Sequence, residues 1–414
     1  MSLIALANKE TLKLIKETAM GLSCGCQTEP DISDTALYCA WLFKNGYYEE
    51  IMKLDFGKVK EYAVRQFCIY LQVETLTKML HQKKIDPSYY IYSINNIKIP
   101  LVWRDYYYGI ANYALGSYQE SHRKFETARH YLMGRGIIAE WQYVNDSVRG
   151  VVSAVSELTM QEIYSSLVHI DLDCIFLFKL DNRLHSAKRA HIVGCDKEYL
   201  LRFGKMFFSN AAPLSNEIDF WLVTDNVLQE QLAEFRLEFP WVYIAEDHTV
   251  FQKQKTYFTM TRFILAEKLM RTKYTYVSTS DIDVLLKEHH LESDIEVSFK
   301  RNSSLQLYPW RSVGAVFSAW RGQRAALALK LLCAYFAETY LPNLSSGNKQ
   351  WWIDQYGLAV MADIVFKSDI CNGWRDAPKF APLEKLPVIT HLDMKLSKDE
   401  FGKVNTLMSN IKQI

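Results

Sequence analysis

At 414 residues the chain is long enough for two or three domains. Its composition is that of an ordinary globular protein, 49% hydrophobic and 23% charged, and a formal net charge of +1 excludes a bulk electrostatic drive toward nucleic acid or an acidic membrane surface. The sequence has no uncharged apolar run of about 18 residues, so no transmembrane segment is expected.

The start of the chain lacks a basic leader and soon reaches Lys9 and Glu10, so it does not read as a secretory signal. Cys24 and Cys26 form the one close cysteine pair, and no second pair completes a zinc set. Cys68, Cys174, Cys195 and Cys333 lie in apolar runs and read as small buried thiols. A cytoplasmic, reducing setting fits this usage.

Residues 1–160 are poor in glycine, and their apolar residues recur at three- and four-residue spacing, which predicts an all-α domain. Within it, Gly109 precedes Gly116 by seven residues, and Tyr118, Ser121, Phe125 and Ala128 follow. The segment resembles a tetratricopeptide repeat, in which a small residue lets two helices approach and a second one makes the turn. Gly46 and Tyr48 repeat part of the pattern. The resemblance implies a helical-repeat scaffold with a docking surface for a protein partner.

Residues 161–414 change character. Asp173–Leu180 is a predicted strand, followed by apolar runs at His191–Asp196, Asp219–Asp225 and Trp241–Ala245. Helical segments of about 10–15 residues separate the later runs, the signature of βαβ units in a mostly parallel sheet. Ligands of such sheets bind beyond the carboxyl ends of the strands. Two of these runs are followed or closed by an aspartate, Asp196 and Asp225.

The next strand carries the strongest signal. Tyr276–Thr279 reads as buried strand, and the run closes on Asp281-Ile282-Asp283. In extended chain, residues two apart face the same side, so both carboxylates leave the strand tip together with Ile282 turned into the core. Paired carboxylates repel and are costly to desolvate, a conflict that a hard divalent cation relieves. Asp-x-Asp also occurs by chance, as Asp171-Leu172-Asp173 shows.

From His191 to Leu396 the chain resembles a metal-dependent nucleotide-sugar glycosyltransferase of the GT-A fold, in the order of the glycogenin and lipopolysaccharide galactosyltransferase group. Six pieces carry the resemblance: His191–Tyr199, Lys255–Arg262, Ser278–Asp283, Ser312–Phe317, Trp351–Tyr356 and Thr390–Lys395. It implies a mostly parallel Rossmann-type α/β sheet and Mn²⁺ or Mg²⁺ held by Asp281, Asp283 and His391. It places Cys195, Asp196, Tyr199, Lys255, Arg262, Ser312, Gly314 and Lys395 around a nucleoside-diphosphate sugar, a UDP-sugar foremost. It further implies Asp354 or Gln355 near the reacting carbon and a glycan, lipid-linked sugar or protein as acceptor. Ser312 stands where the family more often has Asn, and the last motif lacks the usual Gly between His391 and Lys395.

Each of these residues also has a plain structural use. Arg262 fits a surface ion pair as well as a diphosphate contact, and Asp354 fits a solvated helix face behind an N-cap at Asn348. Lys300 and Arg301 read as solvated, and Trp310, Trp351 and Trp352 fit core packing or sugar stacking. Two rival functions stay open: a non-catalytic helical adaptor with a relic transferase domain, and a metal-dependent nucleotidyltransferase or phosphohydrolase using the same aspartates.

Overall fold

A computed structural model describes residues 35–60, 62–97, 99, 101–134, 157–183, 187–225, 229–250, 255–287, 294–301, 312–340, 353–366, 378–383 and 388–389. The chain divides into two compact units, each discontinuous in sequence. One takes Met1–Leu167, Arg301–Val313 and Tyr335–Arg375; the other takes Val168–Lys300, Gly314–Ala334 and Asp376–Ile414. Among the described residues no helix is long and apolar enough to cross a membrane.

In the first unit the described elements up to Ser166 are helices: α1 (Thr35–Lys44), α2 (Tyr48–Lys53), α3 (Tyr62–His81), α4 (Pro87–Asn96), α5 (Leu101–Ala114), α6 (Tyr118–Gly134) and α7 (Glu157–Ser166), with one 3₁₀ turn at Phe56–Lys58. Asp86 caps α4 by accepting from the Tyr89 N–H at 2.9 Å, and Pro87 fills the first helical position, where no donor is needed. The turn between α5 and α6 puts Gly116 at φ +75°, a conformation that favours glycine. Gly109 lets the two helices touch: the Ser121 hydroxyl donates to the Gly109 carbonyl at 2.7 Å, and Phe125 and Ala128 are buried. A Cβ on Gly109 would fall 2.6 Å from the Phe125 ring. Gly109→Ala is therefore expected to destabilise this unit by about 1–3 kcal/mol, the usual cost of overpacking, read as a lower midpoint in denaturant.

The same unit holds α13 (Ile353–Val360), which runs into a π-helical turn at Met361–Val365. There Asp363 is buried, takes the Arg301 guanidinium at 2.8 Å, and accepts the Tyr113 hydroxyl in a short hydrogen bond. Burial, then the Asp363 charge, pushes the Tyr113 phenol well up. Arg301 is thus an ion-pair partner with a mostly covered side chain, not the solvated cation expected.

The second unit is mixed α/β. It begins with a short helix α8 (Leu172–Ile175) and strand β1 (Phe178–Leu180). The expected strand at Asp173–Leu180 is cut short because Asp171 accepts from the Asp173 N–H at 2.9 Å and starts a helical turn. Cys174 lies on that turn and is exposed, its thiol on Asp171 at 3.0 Å; it is not a buried thiol. Then follow β2 (Arg189–Gly194), α9 (Lys197–Ala211), β3 (Asp219–Asp225), α10 (Gln229–Glu238), β4 (Tyr243–Asp247), α11 (Lys255–Thr272), β5 (Tyr276–Ser280), β6 (Leu285–Leu286), β7 (Val297–Arg301) and β8 (Val313–Arg321). Helix α12 (Gly322–Tyr340) leaves β8, with its last residues assigned to the first unit. The two-residue strand β9 (Val388–Ile389) pairs antiparallel with β6.

Seven strands form one sheet in the order β1-β4-β3-β2-β5-β8-β7. The pairs β4–β3, β3–β2 and β2–β5 are parallel, and β1 and β8 pair antiparallel on either side of that block. Successive parallel strands step from β2 through β3 to β4 in one direction and then return to β5 on the other side of β2. The order reverses between β2 and β5, which is where crevices open in such sheets. On one face α9 contributes Leu200, Phe203, Phe207 and Phe208 to a core with Val193, Phe220, Leu222, Ile282, Val284 and Phe317. On the other face α11 packs on β2, β3 and β5. Gly194 permits that approach, because a Cβ there would collide with the Thr261 hydroxyl and come within 3.1 Å of the α11 backbone.

Candidate functional site

The loops after β2 and β5 meet at the carboxyl ends of these neighbouring parallel strands. Asp196, two residues beyond β2, is the N-cap of α9 and accepts from the Tyr199 N–H at 2.9 Å. Asp281 and Asp283 follow β5 directly, with Ile282 buried between them as alternation requires. The phenol of Tyr199 links the two loops. Its pKa is pushed up to about 12 by burial first, and then by the charges of Asp283, Asp196 and Asp281, with Arg202 opposing. Four residues expected at one site from distant parts of the sequence are therefore electrostatic neighbours.

That shift has a measurable consequence. A phenol held above its unfolded value near 10 contributes stability that is complete below about pH 10 and lost as pH rises toward 12. Tyr199→Phe is expected to lose less stability than wild type between those pH values. Denaturant melts of the two proteins at both ends of the window read the difference.

Asp281 is fixed from behind. Its N–H donates to the Val316 carbonyl on β8 at 3.1 Å, and its Oδ1 accepts a short charge-assisted bond from Arg262 on α11. The other Arg262 nitrogen donates to the Ala315 carbonyl at 2.8 Å. The Arg262 side chain is 2% exposed and that of Asp281 is 31% exposed. Arg262 thus lies beneath the carboxylate, as an ion pair inside the unit and not on a solvated helix face. Among the described residues no other side-chain hydrogen bond to the Asp281 carboxylate is seen. Asp283 is buried, at 7% exposure.

Asp281 and Asp283, two residues apart, are hard oxygen ligands of the type Mg²⁺ and Mn²⁺ take alongside phosphate oxygens. Among the described residues no group of three His, Cys, Asp or Glu side chains stands at metal-binding spacing. His391 and Lys395 lie outside the described residues, as do Trp310, Trp351 and Trp352. Strand β9 ends two residues before His391, and β6 begins two residues after Asp283, with Leu285 opposite Ile389.

The remaining expected residues are distributed as follows. Cys195 is buried in the α9 core, and burial pushes its thiol far up, so its side chain packs and only its backbone borders the loop. Lys255 opens α11, and its side chain lies outside the described residues. Ser312 is buried just before β8, and Gly314 lies on β8 half-buried. A Cβ on Gly314 would be 3.7 Å from the Lys300 Cβ, an ordinary contact, so protein packing does not require glycine there. Asp354 and Gln355 belong to the first unit. The described helix begins at Ile353, which puts Asp354 in its first turn, and Asp354 is buried, not on a solvated face.

Sequence reasoning passed over two features. One is the direct pairing of Arg262 with Asp281. The other is the polar face of β5, Ser278 and Ser280, opposite His191 on β2. The alternation Ser278-x-Ser280 on a fully buried strand is the available signal. No protein-family model matches the chain, and no curated protein matches it.

Proposed function

We propose that the chain is a metal-dependent glycosyltransferase of the GT-A kind. It would move a sugar from a nucleoside-diphosphate donor, a UDP-sugar foremost, to a glycan, lipid-linked or protein acceptor. The helical unit would serve as a tetratricopeptide-like docking scaffold, and the cytoplasm would be its compartment. The observation that carries this reading is the meeting of Asp281 and Asp283 with Asp196 and Tyr199 at the reversal point of the sheet, where a nucleotide lies in α/β folds.

Asp281 and Asp283 would hold Mn²⁺ or Mg²⁺. His391 is assigned as third ligand on the resemblance of its motif alone. A bound cation supplies positive charge to the diphosphate oxygens as the bond to the sugar breaks. Arg262 orients Asp281 and offsets its charge before a cation arrives. Tyr199, neutral at physiological pH, can donate a hydrogen bond toward the nucleotide. Lys395 and Lys255 are assigned to the diphosphate, and Ser312 and Gly314 to the donor sugar. Asp354 and Gln355 stay the candidates for the reacting carbon, on the resemblance alone.

One observation favours the adaptor reading: Arg262 already neutralises Asp281, as an internal salt bridge in a non-catalytic relic would. Melting curves with a panel of nucleoside-diphosphate sugars, each with and without Mn²⁺, separate the two. A ligand at 100 times its Kd stabilises by about 2.7 kcal/mol. The transferase reading predicts that one donor raises Tm in the presence of Mn²⁺ beyond the shift that Mn²⁺ alone produces. No shift with any donor in saturating Mn²⁺ overturns it.

A further inference from the structure

We propose that His191 is a positioning residue for the Asp281–Asp283 pair, fixed in one neutral tautomer by a one-way chain of hydrogen bonds ending on the Asp281 main chain. The proposal rests on the reading of those aspartates as the cation-holding pair.

His191 is fully enclosed in the middle of the sheet, 1% exposed. Its ring lies between Phe207 of α9 and Phe317 of β8, near-parallel to both, with Phe220 of β3 alongside. An imidazole in such a cage has no water to satisfy its nitrogens, so both need protein partners. It finds them on the next strand, where parallel pairing sets His191 opposite Ser278. Nδ1 lies 2.8 Å from the Ser278 hydroxyl and Nε2 lies 2.9 Å from the Ser280 hydroxyl.

The direction of the chain follows from its far end. The Ser280 hydroxyl donates its one proton to the Asp281 carbonyl at 2.9 Å. Toward His191 it can then only accept, so Nε2 carries the hydrogen. A neutral ring protonated at Nε2 has its lone pair on Nδ1, which accepts from Ser278. The Ser278 hydroxyl has an alternative acceptor in the Ala190 carbonyl, but at 3.5 Å it is the poorer one. For a neutral ring the sequence Ser278 to His191 to Ser280 to Asp281 thus runs in one sense, with Ser278 as its first donor.

That chain does what a buried polar network is suited to do: it specifies one geometry. The Asp281 peptide is held on three sides, by Ser280 at its carbonyl, by Val316 at its N–H and by Arg262 at its carboxylate. Of these, the bond to the carbonyl governs the peptide joining Asp281 to Ile282. It therefore governs the angle at which Asp283 leaves the strand. Groups that orient metal ligands from behind commonly change metal affinity by 10- to 100-fold when removed.

The test uses the full chain. Selective ¹⁵N labelling of histidine, with His191→Phe to assign the signal, reads the tautomer at pH 7.5. A neutral ring protonated at Nε2 is expected, and an Nδ1-protonated or doubly protonated ring overturns the proposal. His191→Phe keeps an aromatic ring in the cage and removes both hydrogen bonds; Ser280→Ala removes one hydroxyl and carries the test if the first variant does not fold. Both are expected to bind Mn²⁺ alone about tenfold more weakly than wild type and to speed amide exchange at Ile282. Ser278→Ala leaves the link to Asp281 in place and is expected to have a smaller effect. Unchanged Mn²⁺ affinity and unchanged Ile282 exchange in both variants overturn the positioning role. Wild type that binds no Mn²⁺ at all sinks the cation reading instead, and Ile282 exchange then decides the role of His191 separately.

Discussion

Asp283→Asn is expected to lower cation-dependent donor turnover about a thousandfold, the loss of several kcal/mol of charge stabilisation at the diphosphate. Asp196, Asp281 and Asp283 all raise the Tyr199 pKa, so the variant also removes one of the charges that act on that phenol. The same variant should lower the Tyr199 pKa, because Asp283 is the largest charge acting on it. A variant that loses both Tm and turnover would mark Asp283 as a structural carboxylate.

Asp281→Ala is expected to behave differently, although it is the other half of the same pair. It would leave the Arg262 guanidinium buried without its carboxylate. Breaking a buried ion pair typically costs about 3–5 kcal/mol, and the solvent exposure of Asp281 reduces that here to about 2 kcal/mol. The Ala315 carbonyl still accepts from Arg262, which softens the loss further. Exchanging Arg262 for Met in the same protein should restore most of the stability, since a matched apolar replacement removes the stranded charge. It should not restore cation binding. A double-mutant cycle in denaturant measures the pair, and Mn²⁺ titration of the same four proteins separates folding from ligation. Additive stability changes would mean that Arg262 and Asp281 do not interact in solution.

What could be read from the sequence was what depends on local order. The Asp281-Ile282-Asp283 alternation follows from the two-residue period of extended chain, and Ile282 is in the core as that period requires. Gly109, Gly116 and Phe125 are readable together because a helical hairpin fixes their spacing; in the structure Gly109 lies against the Phe125 ring and Gly116 makes the turn. The parallel centre of the sheet was readable from alternating apolar runs and helical segments, whereas the antiparallel flanks β1 and β8 were not. Asp173–Leu180 was misread because one side-chain cap at Asp171 outweighed the β-propensity of the residues after it. Arg262 with Asp281, and Asp363 with Arg301 and Tyr113, join elements far apart in the chain, and no periodicity reports such partners. His191 begins a motif in the sequence, but its partners depend on strand register, which a single strand does not disclose.

The central claim is that Asp281 and Asp283 share one cation beside a nucleoside diphosphate. Anomalous scattering from crystals grown with MnCl₂ and UDP addresses it most directly. The account predicts one strong manganese peak at about 2.0–2.2 Å from an oxygen of each aspartate, as hard octahedral sites require, with a diphosphate oxygen in the same shell. A manganese ion bound away from both side chains, or no peak at saturating metal, would contradict it.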